Sequence, residues 1–435
     1  MKKRAASSFA VPVTGEPRAF GNRHPVPGLK RQINPRMHLC IADSGFAAAT
    51  LSDTTLKPMF ELLKTDSHTK ARCGRLKTAH GVVETPVFMP VGTQATVKAV
   101  DPRELRELGA QIILGNTYHL CIRPGIEVIR AAGGLHAFMN WHGPILTDSG
   151  GYQVFSLAKI RKVRPHGVEF QSHVDGARLF LGPKEAMQIQ RELGSDIAMA
   201  FDECPPHTAT QRQFRAAVER TIHWARECRE QPRAHGQLVF GIVQGGTDAQ
   251  LRRHCAEAVV ALGFDGYAIG GVSVGEPEPE MMKAIELTEP YLPIDKPRYA
   301  MGLGTPAQII EMIARGIDMF DCVLPTRVAR NGGAFTRKGL LSIKTAAFKT
   351  DFSPIEEGCD CFACRHFTRA YLRHLLNVGE ILGLRMLSVH NTRMFMRLLA
   401  DARAAIAAGN FDEFRRQFVA NYKPSRRILA ARGPD

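Results

Sequence analysis

Short apolar runs alternate with amphipathic segments along most of this 435-residue chain, from about residue 80 onward. The eight runs, most of them followed directly by Gly or a polar residue, are Pro86–Val91, Gln111–Leu114, Pro144–Leu146, Asp196–Phe201, Leu238–Val243, Gly266–Ile269, Arg298–Leu303 and Met319–Val323. The segments with helical spacing of apolar residues include Pro102–Leu108, Pro183–Leu193, Gln211–Gln231, Asp248–Leu262, Pro279–Leu287 and Pro306–Gly316. Strands that alternate with helices are typical of a parallel sheet. Eight such strands favour an α/β fold of the closed (β/α)8 TIM-barrel type over an open doubly wound sheet.

Two segments depart from this alternation. Val168–Ser172 and Ala177–Leu181 are rich in β-forming residues, and the Asp175-Gly176 pair between them indicates a hairpin. We expect this hairpin to be inserted between the third and fourth barrel strands. Residues 1–58 show no lasting period and are rich in Pro, Gly, Ser and Arg, which favours a disordered extension. A native start at Met59 and an organelle transit peptide are the alternatives.

Positive charge is concentrated at the two ends of the chain, whose formal net charge is +15. Residues 59–319 carry 29 Lys and Arg against 29 Asp and Glu, so the middle of the chain is neutral. Residues 320–435 carry 19 basic residues against ten acidic ones, and residues 1–58 carry nine against three. A basic surface attracts polyanions such as nucleic acid, although it also serves solubility.

Cysteine use and hydropathy narrow the class of protein. Seven of the ten cysteines are scattered, which does not resemble a disulfide framework and is compatible with a reducing compartment. No apolar run approaches the ~20 residues of a membrane span. The basic start, Met1-Lys2-Lys3-Arg4, is not followed by the apolar region of a signal peptide. We therefore expect a cytoplasmic protein without a membrane partner.

The carboxyl ends of the predicted strands are unusually polar. In a (β/α)8 barrel these ends meet at one rim, where such enzymes place their active residues. The polar side chains at these ends are Asn116, Asp148, Asp202, Gln244 and Asp321, accompanied by several Gly pairs. One Asp at a strand end is often only a helix N-cap, but this set has the carboxylates, amides and bare backbone that suit a nucleobase edge. Tyr152 and Met301 offer surfaces that could sandwich a ring or simply pack.

Three thiols within six residues predict a metal site. Cys359, Cys361 and Cys364 are followed by His390, with 25 residues between it and the last thiol. Three Cys and one His suit a closed tetrahedral zinc site, whereas a lone His suits an iron–sulfur cluster less well. Another histidine, such as His119, could compete as the fourth ligand. We predict one structural Zn²⁺ per subunit, with a role in folding, because no coordination position stays open for catalysis.

These residues lie in stretches that resemble the queuine/archaeosine tRNA-ribosyltransferase family, and its bacterial type most closely. The stretches extend from about residue 65 to residue 423 and cover nearly all of the chain except the N-terminal extension and a short tail. They are Leu114-Gly115-Asn116-Thr117-Tyr118-His119-Leu120, Thr147-Asp148-Ser149-Gly150-Gly151-Tyr152-Gln153, Phe201-Asp202-Glu203-Cys204, Gly241-Ile242-Val243-Gln244-Gly245-Gly246, Ala268-Ile269-Gly270-Gly271, Asp321-Cys322-Val323-Leu324-Pro325-Thr326-Arg327 and the Cys/His set.

The resemblance implies a tRNA-guanine transglycosylase, a glycosyltransferase of queuosine biosynthesis. Such an enzyme replaces the wobble guanine of GUN-anticodon tRNAs by double displacement at the ribose C1′, through a covalent enzyme–tRNA intermediate. Asp321 matches the family's nucleophile, and Asp148 matches its general acid/base. The chemistry agrees with this pairing, because base replacement with retention takes two inversions, which need a carboxylate nucleophile and a second group for the base protons.

The resemblance also assigns the base-binding residues. The matches around the edge of the base are Asp148, Asp202, Gln244, Gly270 and Gly271. The Val272 carbonyl matches the one that faces the substituent of the deazaguanine; the family usually has Leu there, and the change should be tolerated because the carbonyl makes the contact. Tyr152 and Met301 match the residues that stack on the two faces.

Three further matches concern the incoming base. Cys204 and Val274 match bacterial-type positions, and smaller residues replace Val274 in relatives that accept the bulkier queuine. The resemblance therefore favours 7-aminomethyl-7-deazaguanine (preQ1) as the incoming base and guanine as the released one. Glu276 matches a position near the substituent and could accommodate its ammonium. A queuine-accepting enzyme is the alternative.

Arg327 and Arg330 directly follow the nucleophile and match anticodon-loop contacts. A base in that loop leaves its stack at low cost, because it is already unpaired. The family commonly forms homodimers, which the resemblance extends to this chain. We therefore expect three parts after the N-terminal extension: a catalytic barrel (59–325), a zinc-binding and tRNA-contacting subdomain packed on the barrel (326–423) and a tail (424–435).

Three other functions fit parts of the pattern. A non-catalytic tRNA-binding paralogue would lack the reactive carboxylates, and both Asp321 and Asp148 are present. An archaeal-type enzyme that acts deeper in the tRNA would normally carry further C-terminal RNA-binding domains. A small-molecule lyase or hydrolase is compatible with the barrel, but it would have no evident use for the basic, zinc-bearing C-terminal segment.

Overall fold

The computed structural model describes residues 59–157, 161–272 and 274–423. The predicted extension (1–58) and tail (424–435) lie outside the described residues. The strands are, in chain order, β1 (Phe60–Thr65), β2 (Arg72–Thr78), β3 (Gly81–Thr85), β4 (Val87–Gly92), β5 (Ile113–Gly115), β6 (Ile145–Thr147), β7 (Arg161–Arg164), β8 (Gly167–Gln171), β9 (Arg178–Leu181), β10 (Ile197–Met199), β11 (Leu238–Val243), β12 (Gly266–Ile269), β13 (Arg298–Ala300), β14 (Met319–Cys322), β15 (Gly333–Thr336) and β16 (Gly339–Ser342).

Helices separate most of these strands. In chain order they are α1 (Pro102–Glu107), α2 (Thr117–Ile122), α3 (Ile126–Ala131), α4 (Leu135–Met139), α5 (Gly151–Leu157), α6 (Pro183–Leu193), α7 (Gln211–Arg229), α8 (Ala249–Ala261), α9 (Glu278–Thr288), α10 (Pro306–Ala314), α11 (Leu324–Arg330), α12 (Phe362–His366), α13 (Arg369–Val378), α14 (Ile381–Ala408) and α15 (Phe411–Asn421). Among these helices, none is both long and apolar enough to cross a bilayer.

Eight parallel strands close into a barrel, in the order β10-β11-β12-β13-β14-β4-β5-β6. Each of the eight apolar runs in the sequence overlaps one of these strands, so the predicted TIM-barrel class is confirmed. One buried cluster includes side chains from every barrel strand, among them Met89, Leu146, Phe240 and Met319. A second and larger cluster joins the outer faces of the strands to the helices. Burial of such side chains contributes ~1.5–3 kcal/mol each.

The inserted hairpin is part of a larger element. The predicted strands correspond to β8 and β9, and they lie between the third and fourth barrel strands as expected. The sequence did not predict β7, which pairs with β8 and makes the insertion a three-stranded antiparallel sheet. We call β7–β9 the flap. It follows α5 directly in the chain, so it is connected to the rim of the barrel.

A three-stranded antiparallel sheet, β1–β3, precedes the barrel. Phe60, Leu76 and Val83 from this sheet join the inner cluster of the barrel and close its amino-terminal end. Arg72 on β2 donates from Nε to Asp318 Oδ1 (3.0 Å), and both side chains are buried. This sheet therefore stabilises the end of the barrel that lies opposite the polar rim.

The chain after the barrel packs back onto it through the long helix α14. This helix contacts α11, the hairpin β15–β16 and β4. Asn391 on α14 donates from Nδ2 to the Pro325 carbonyl (2.9 Å) and accepts from the Phe335 amide through Oδ1 (2.8 Å). Helix α11 spans residues 324–330, so it continues across the predicted boundary at 325/326.

Candidate active site

A pocket of about 260 Å³ opens at the carboxyl-terminal rim of the barrel. Asp148, Asp202 and Asp321 all line it, although they come from the third, fourth and eighth barrel strands. The pocket has room for a planar heterocycle and not only for water. The predicted site residues that line this pocket are Asp148, Tyr152, Asp202, Gln244, Gly270, Gly271, Val272, Met301, Asp321 and Arg327, together with Cys204 and Val274.

Asp148 follows β6 and is held by the start of α2. Its Oδ1 accepts from the Thr117 amide (2.9 Å), and its Oδ2 accepts from Asn116 Nδ2 (2.5 Å). Burial raises the pKa of this carboxyl to about 6, and the negative charge of Asp321 adds to the rise, while these hydrogen bonds act in the opposite direction. A carboxyl with such a pKa can both give and take a proton near neutral pH.

Asp202 lies beyond β10 and forms a pair with Gln244. Gln244 Nε2 donates to Asp202 Oδ2 (2.7 Å), and Ser149 Oγ donates to Oδ1 (3.3 Å). Burial raises the pKa of Asp202 to about 6. Gln244 Oε1 is buried without a hydrogen-bond partner within the described residues, so a polar group remains to be satisfied in the wall of the pocket.

Asp321 lies on β14 and is only partly buried. Its Oδ1 accepts from the Tyr299 hydroxyl (2.5 Å) and from the Gly302 amide (2.7 Å). Burial raises the pKa of Asp321, and these two hydrogen bonds lower it. Both of these hydrogen bonds end on Oδ1, and neither engages Oδ2.

The Gly270-Gly271 pair directly follows β12 and leaves its backbone uncovered by side chains. A Cβ on Gly271 would lie 2.4 Å from Gln244 Oε1, and the residue has φ of +65°, which disfavours any side chain. Gly270 is equally crowded, because a Cβ there would lie 2.5 Å from Gln244 Nε2. Only glycine lets this backbone approach the amide of Gln244 so closely.

Tyr152 and Met301 lie on the rim, as the sequence suggested. Tyr152 is the second residue of α5 and leaves 47% of its surface exposed. Met301 packs against the inner cluster of the barrel and also lines the pocket. Both side chains present apolar surface beside the three carboxylates.

Arg327 and Arg330 lie on α11, the helix that begins three residues after Asp321. Arg327 lines the pocket, whereas Arg330 is exposed one turn further along and donates from Nε to the Thr326 carbonyl (3.3 Å). The helix therefore extends a basic surface outward from the mouth of the pocket.

The structure adds two residues that sequence reasoning missed. Tyr299 was read as part of an apolar strand, yet its hydroxyl binds Asp321. Arg252 on α8 is fully buried, donates to the carbonyls of Val243 and Gly246 (3.0 and 2.7 Å), and has a pKa lowered to about 10 by burial. Its position gave a signal, because it shares the apolar face of the helix with Cys255, three positions on.

The predicted metal ligands come together away from this pocket. The ligand atoms of Cys359, Cys361, Cys364 and His390 lie within 4.8 Å of one another, and all four residues are buried. The three sulfur atoms lie 3.7, 3.6 and 3.3 Å from His390 Nδ1. His390 Nε2 lies 2.8 Å from the Phe335 carbonyl, to which it donates, and this leaves the Nδ1 lone pair for a ligand. The cluster could hold a metal ion.

Comparisons with known proteins identify the family. Residues 66–424 match the family model described as queuine tRNA-ribosyltransferase. Bacterial proteins of that name are similar over most of their own length: the Pelotomaculum thermopropionicum protein is 55% identical over 364 residues, 84% of this chain and 98% of the relative. The Natranaerobius thermophilus protein is 54% identical over 365 residues, 84% of this chain and 99% of the relative. The chain therefore belongs to the queuine tRNA-ribosyltransferase family, a family of pentosyltransferases that act as tRNA-guanine transglycosylases.

Proposed function

We propose that this protein exchanges the wobble guanine of GUN-anticodon tRNAs for preQ1, a step of queuosine biosynthesis. The observation that carries the proposal is the convergence of Asp321, Asp148 and Asp202 on one base-sized pocket in a chain of this family. Asp321 Oδ2 attacks the ribose C1′ as the bond from C1′ to N9 of guanine breaks. The ester that forms between the carboxylate and C1′ holds the tRNA on the enzyme.

Asp148 manages the protons of the two bases in this proposal. It donates a proton to the guanine that leaves and later accepts the N9 proton of the incoming base, which attacks C1′ and displaces Asp321. The pKa of about 6 supports this role, because both protonation states are accessible near neutral pH. Two successive inversions leave the new base in the original configuration.

We assign the edge of the base to Asp202, Gln244 and the Gly270-Gly271 backbone. The unsatisfied Gln244 Oε1 supports this assignment, since a bound base would offer new donors and acceptors at that wall. Tyr152 and Met301 would stack on the two faces.

The choice of preQ1 over queuine rests on the wall near the substituent. Val274, Cys204 and Val272 all line the pocket. Glu276 is buried nearby and accepts from the Val274 amide through Oε2 (2.8 Å). A carboxylate there can accept from the ammonium of the preQ1 substituent, and we assign the discrimination against the bulkier queuine to the side chain of Val274.

We further propose that the Cys₃His cluster holds one structural Zn²⁺. Three thiolates and one neutral imidazole are a donor set that zinc prefers, and burial of all four excludes a substrate position. The ion would connect the segment 359–364 to α14, which carries His390, and would thereby order the chain after the barrel. It takes no part in the base exchange.

The tRNA partner would dock its anticodon loop over the pocket, with Arg327 and Arg330 near the flanking phosphates. We also propose a cytoplasmic homodimer. Exposed apolar side chains near the Cys₃His cluster support the proposal of a second subunit. Among them is Phe362, which leaves 55% of its surface exposed and lies edge-on to Phe367. Such surface is costly to leave in water.

The proposal is tested by trapping the covalent intermediate. The wild type and Asp295→Asn, a control at an exposed aspartate, should form an adduct with a GUN-anticodon tRNA that survives denaturing electrophoresis. Asp321→Asn should form none while still binding tRNA, because an amide oxygen is a poor nucleophile. A normal adduct with Asp321→Asn would remove the nucleophile from the proposal. Mass spectrometry of tRNA treated with preQ1 or with queuine then decides which base is incorporated.

A further inference from the structure

A second group of metal-ligating side chains lies where the flap meets helix α7. His166 Nδ1 lies 3.0 Å from Glu227 Oε1, and His223 Nε2 lies 3.2 Å from the same oxygen. All three ligand atoms lie within 4.8 Å of one another. We propose that His166, His223 and Glu227 form a site for a borderline divalent metal ion such as Zn²⁺ or Ni²⁺, which clamps the flap to the barrel.

The local backbone brings these residues together. His223 and Glu227 are four positions apart on α7, so their side chains project from the same face of the helix. His166 lies in the two-residue turn between β7 and β8. Trp224 Nε1 donates to the Pro165 carbonyl (2.7 Å), which fixes that turn against α7. The three ligands therefore need little rearrangement to meet one ion.

The distances suit a metal as well as a hydrogen bond. Two ligands of a tetrahedral ion with bonds of ~2.0–2.1 Å are about 3.3 Å apart. The separations of 3.0 and 3.2 Å from the shared oxygen are close to that value. Imidazole and carboxylate are ligands that Zn²⁺ and Ni²⁺ accept.

The site is also open to solvent. His166 leaves 72% of its side chain exposed and His223 leaves 46%, whereas Glu227 leaves 17%. An ion bound by three protein atoms would keep water in its remaining position, unlike the closed and buried Cys₃His cluster. We therefore expect reversible binding here.

A similar group, His80, His136 and Asp196, is the weaker candidate. Asp196 already accepts from two backbone amides, those of His80 (2.9 Å) and Ile145 (2.8 Å), besides both imidazoles. Its carboxylate therefore joins segments at the amino-terminal end of the barrel. Glu227 has no such backbone donor within the described residues, and its carboxylate is free to turn toward an ion.

The test is a zinc titration of the full chain that still carries the ion of its Cys₃His cluster. Isothermal titration calorimetry with ZnCl₂, after the initial metal content has been measured by mass spectrometry, should detect one additional binding event. His166→Gln, His223→Gln and Glu227→Gln should each weaken that event by more than about tenfold, because each removes one ligand. The matched control is His254→Gln, which removes the histidine of an isolated His254–Glu219 pair (3.0 Å) and should leave the titration unchanged.

Hydrogen exchange separates a clamp from incidental surface binding. Zinc should slow exchange in residues 161–182 of the wild type and of His254→Gln but not of His223→Gln. Equal zinc binding by all the variants would overturn the proposal. So would an additional event that disappears in His136→Gln and persists in His223→Gln. Because His223 is at the surface, circular dichroism should show the variant to be folded, and His166→Gln provides an independent repeat.

Discussion

The three aspartates of the pocket are held by neutral donors. Their hydrogen-bond partners are amides, hydroxyls and backbone N–H groups, from Asn116 and Thr117 for Asp148, Gln244 and Ser149 for Asp202, and Tyr299 and Gly302 for Asp321. A cationic partner would lower the pKa of a carboxyl below its usual range. With neutral donors, the effect of burial prevails and all three pKa values are raised.

Tyr299 should tune the reactivity of Asp321, the proposed nucleophile. Its hydroxyl lowers the pKa of Asp321 against the effect of burial, so Tyr299→Phe should raise that pKa and reduce the ionised fraction at a given pH. We expect the acid limb of the rate of adduct formation to move to higher pH, so that the rate falls roughly 10-fold on that limb and changes little at pH 9. Single-turnover rates between pH 5.5 and 9 would measure this, with tRNA affinity as the control. A lower rate with an unshifted pH profile would contradict the assigned role.

The buried carboxylate of Asp202 should lower the free energy of unfolding of the protein at neutral and higher pH. Its pKa is about 6 in the folded protein against 3.8 as the ordinary value. The folded state therefore holds the proton more tightly, and stability falls as pH rises from about 4 through 6. Asp202→Asn should raise the free energy of unfolding at pH 8 by up to about 3 kcal/mol, and the gain should shrink toward pH 5. Urea denaturation at both pH values measures it, and an equal gain at both would exclude this cause.

At the scale of single residues, the sequence predicted a site residue only where a polar residue type coincided with the end of an apolar run. Asp148, Gln244 and Asp321 could be predicted because each follows or lies in an apolar run that a barrel must turn toward its rim. Tyr299 could not, because an aromatic residue within a strand usually packs in the core. The pKa values could not be predicted either, since they depend on burial and on neighbours distant in sequence.

At the scale of elements, a strand could be predicted where its residues were clearly more apolar than the segments on either side. The barrel strands are buried on both faces, so β11 and β12 were predicted with their observed bounds. The flap strand β7 reads Arg-Lys-Val-Arg and has no buried residue, so it carries no such contrast. The sheet β1–β3 was missed for a related reason: most of β1 is not buried, and its irregular pairing with β2 breaks the alternation.

The Cys₃His cluster should be an element of folding. Cys361 is a predicted ligand and also caps α12, where its sulfur accepts from the Cys364 amide (3.3 Å). Cys361→Ala should therefore lose the proposed zinc and lower the melting temperature. Cys255→Ala, at a buried cysteine outside the cluster, is the control that should keep its metal. Metal analysis and calorimetry of the two variants would decide, and stoichiometric zinc in Cys361→Ala would contradict the ligand set.

At the scale of the whole molecule, charge is divided between the ends and a neutral middle. Residues 320–435 carry nine more basic than acidic residues, and they begin at the strand of Asp321. The pocket therefore lies at the border between a neutral barrel and a basic segment. This arrangement places phosphate attraction beside the proposed chemistry and not within it.

The salt dependence of tRNA binding should show that the basic segment, and not the neutral barrel, contacts the phosphates. The double variant Arg327→Ala/Arg330→Ala should weaken tRNA binding and reduce the slope of log Kd against log salt by roughly one to two units, since each lost phosphate contact contributes ~0.7–0.9. Filter binding between 50 and 300 mM salt would measure it. The control is Arg226→Ala on α7 combined with Arg253→Ala on α8, which should leave the slope unchanged. An equal loss of slope in both double variants would assign the effect to overall charge.

One amide group connects the Cys₃His cluster to the segment that follows the strand of Asp321. Asn391 is adjacent to His390 and holds the Pro325 carbonyl, at the start of the helix that leads away from Asp321. If the ion proposed at His390 were lost, the first part of the rim to loosen should be α11 with its two arginines, while the wall formed by Asp202 and Gln244 stayed in place. A cell short of the metal would then hold an enzyme that still recognises its free base but seats the anticodon poorly.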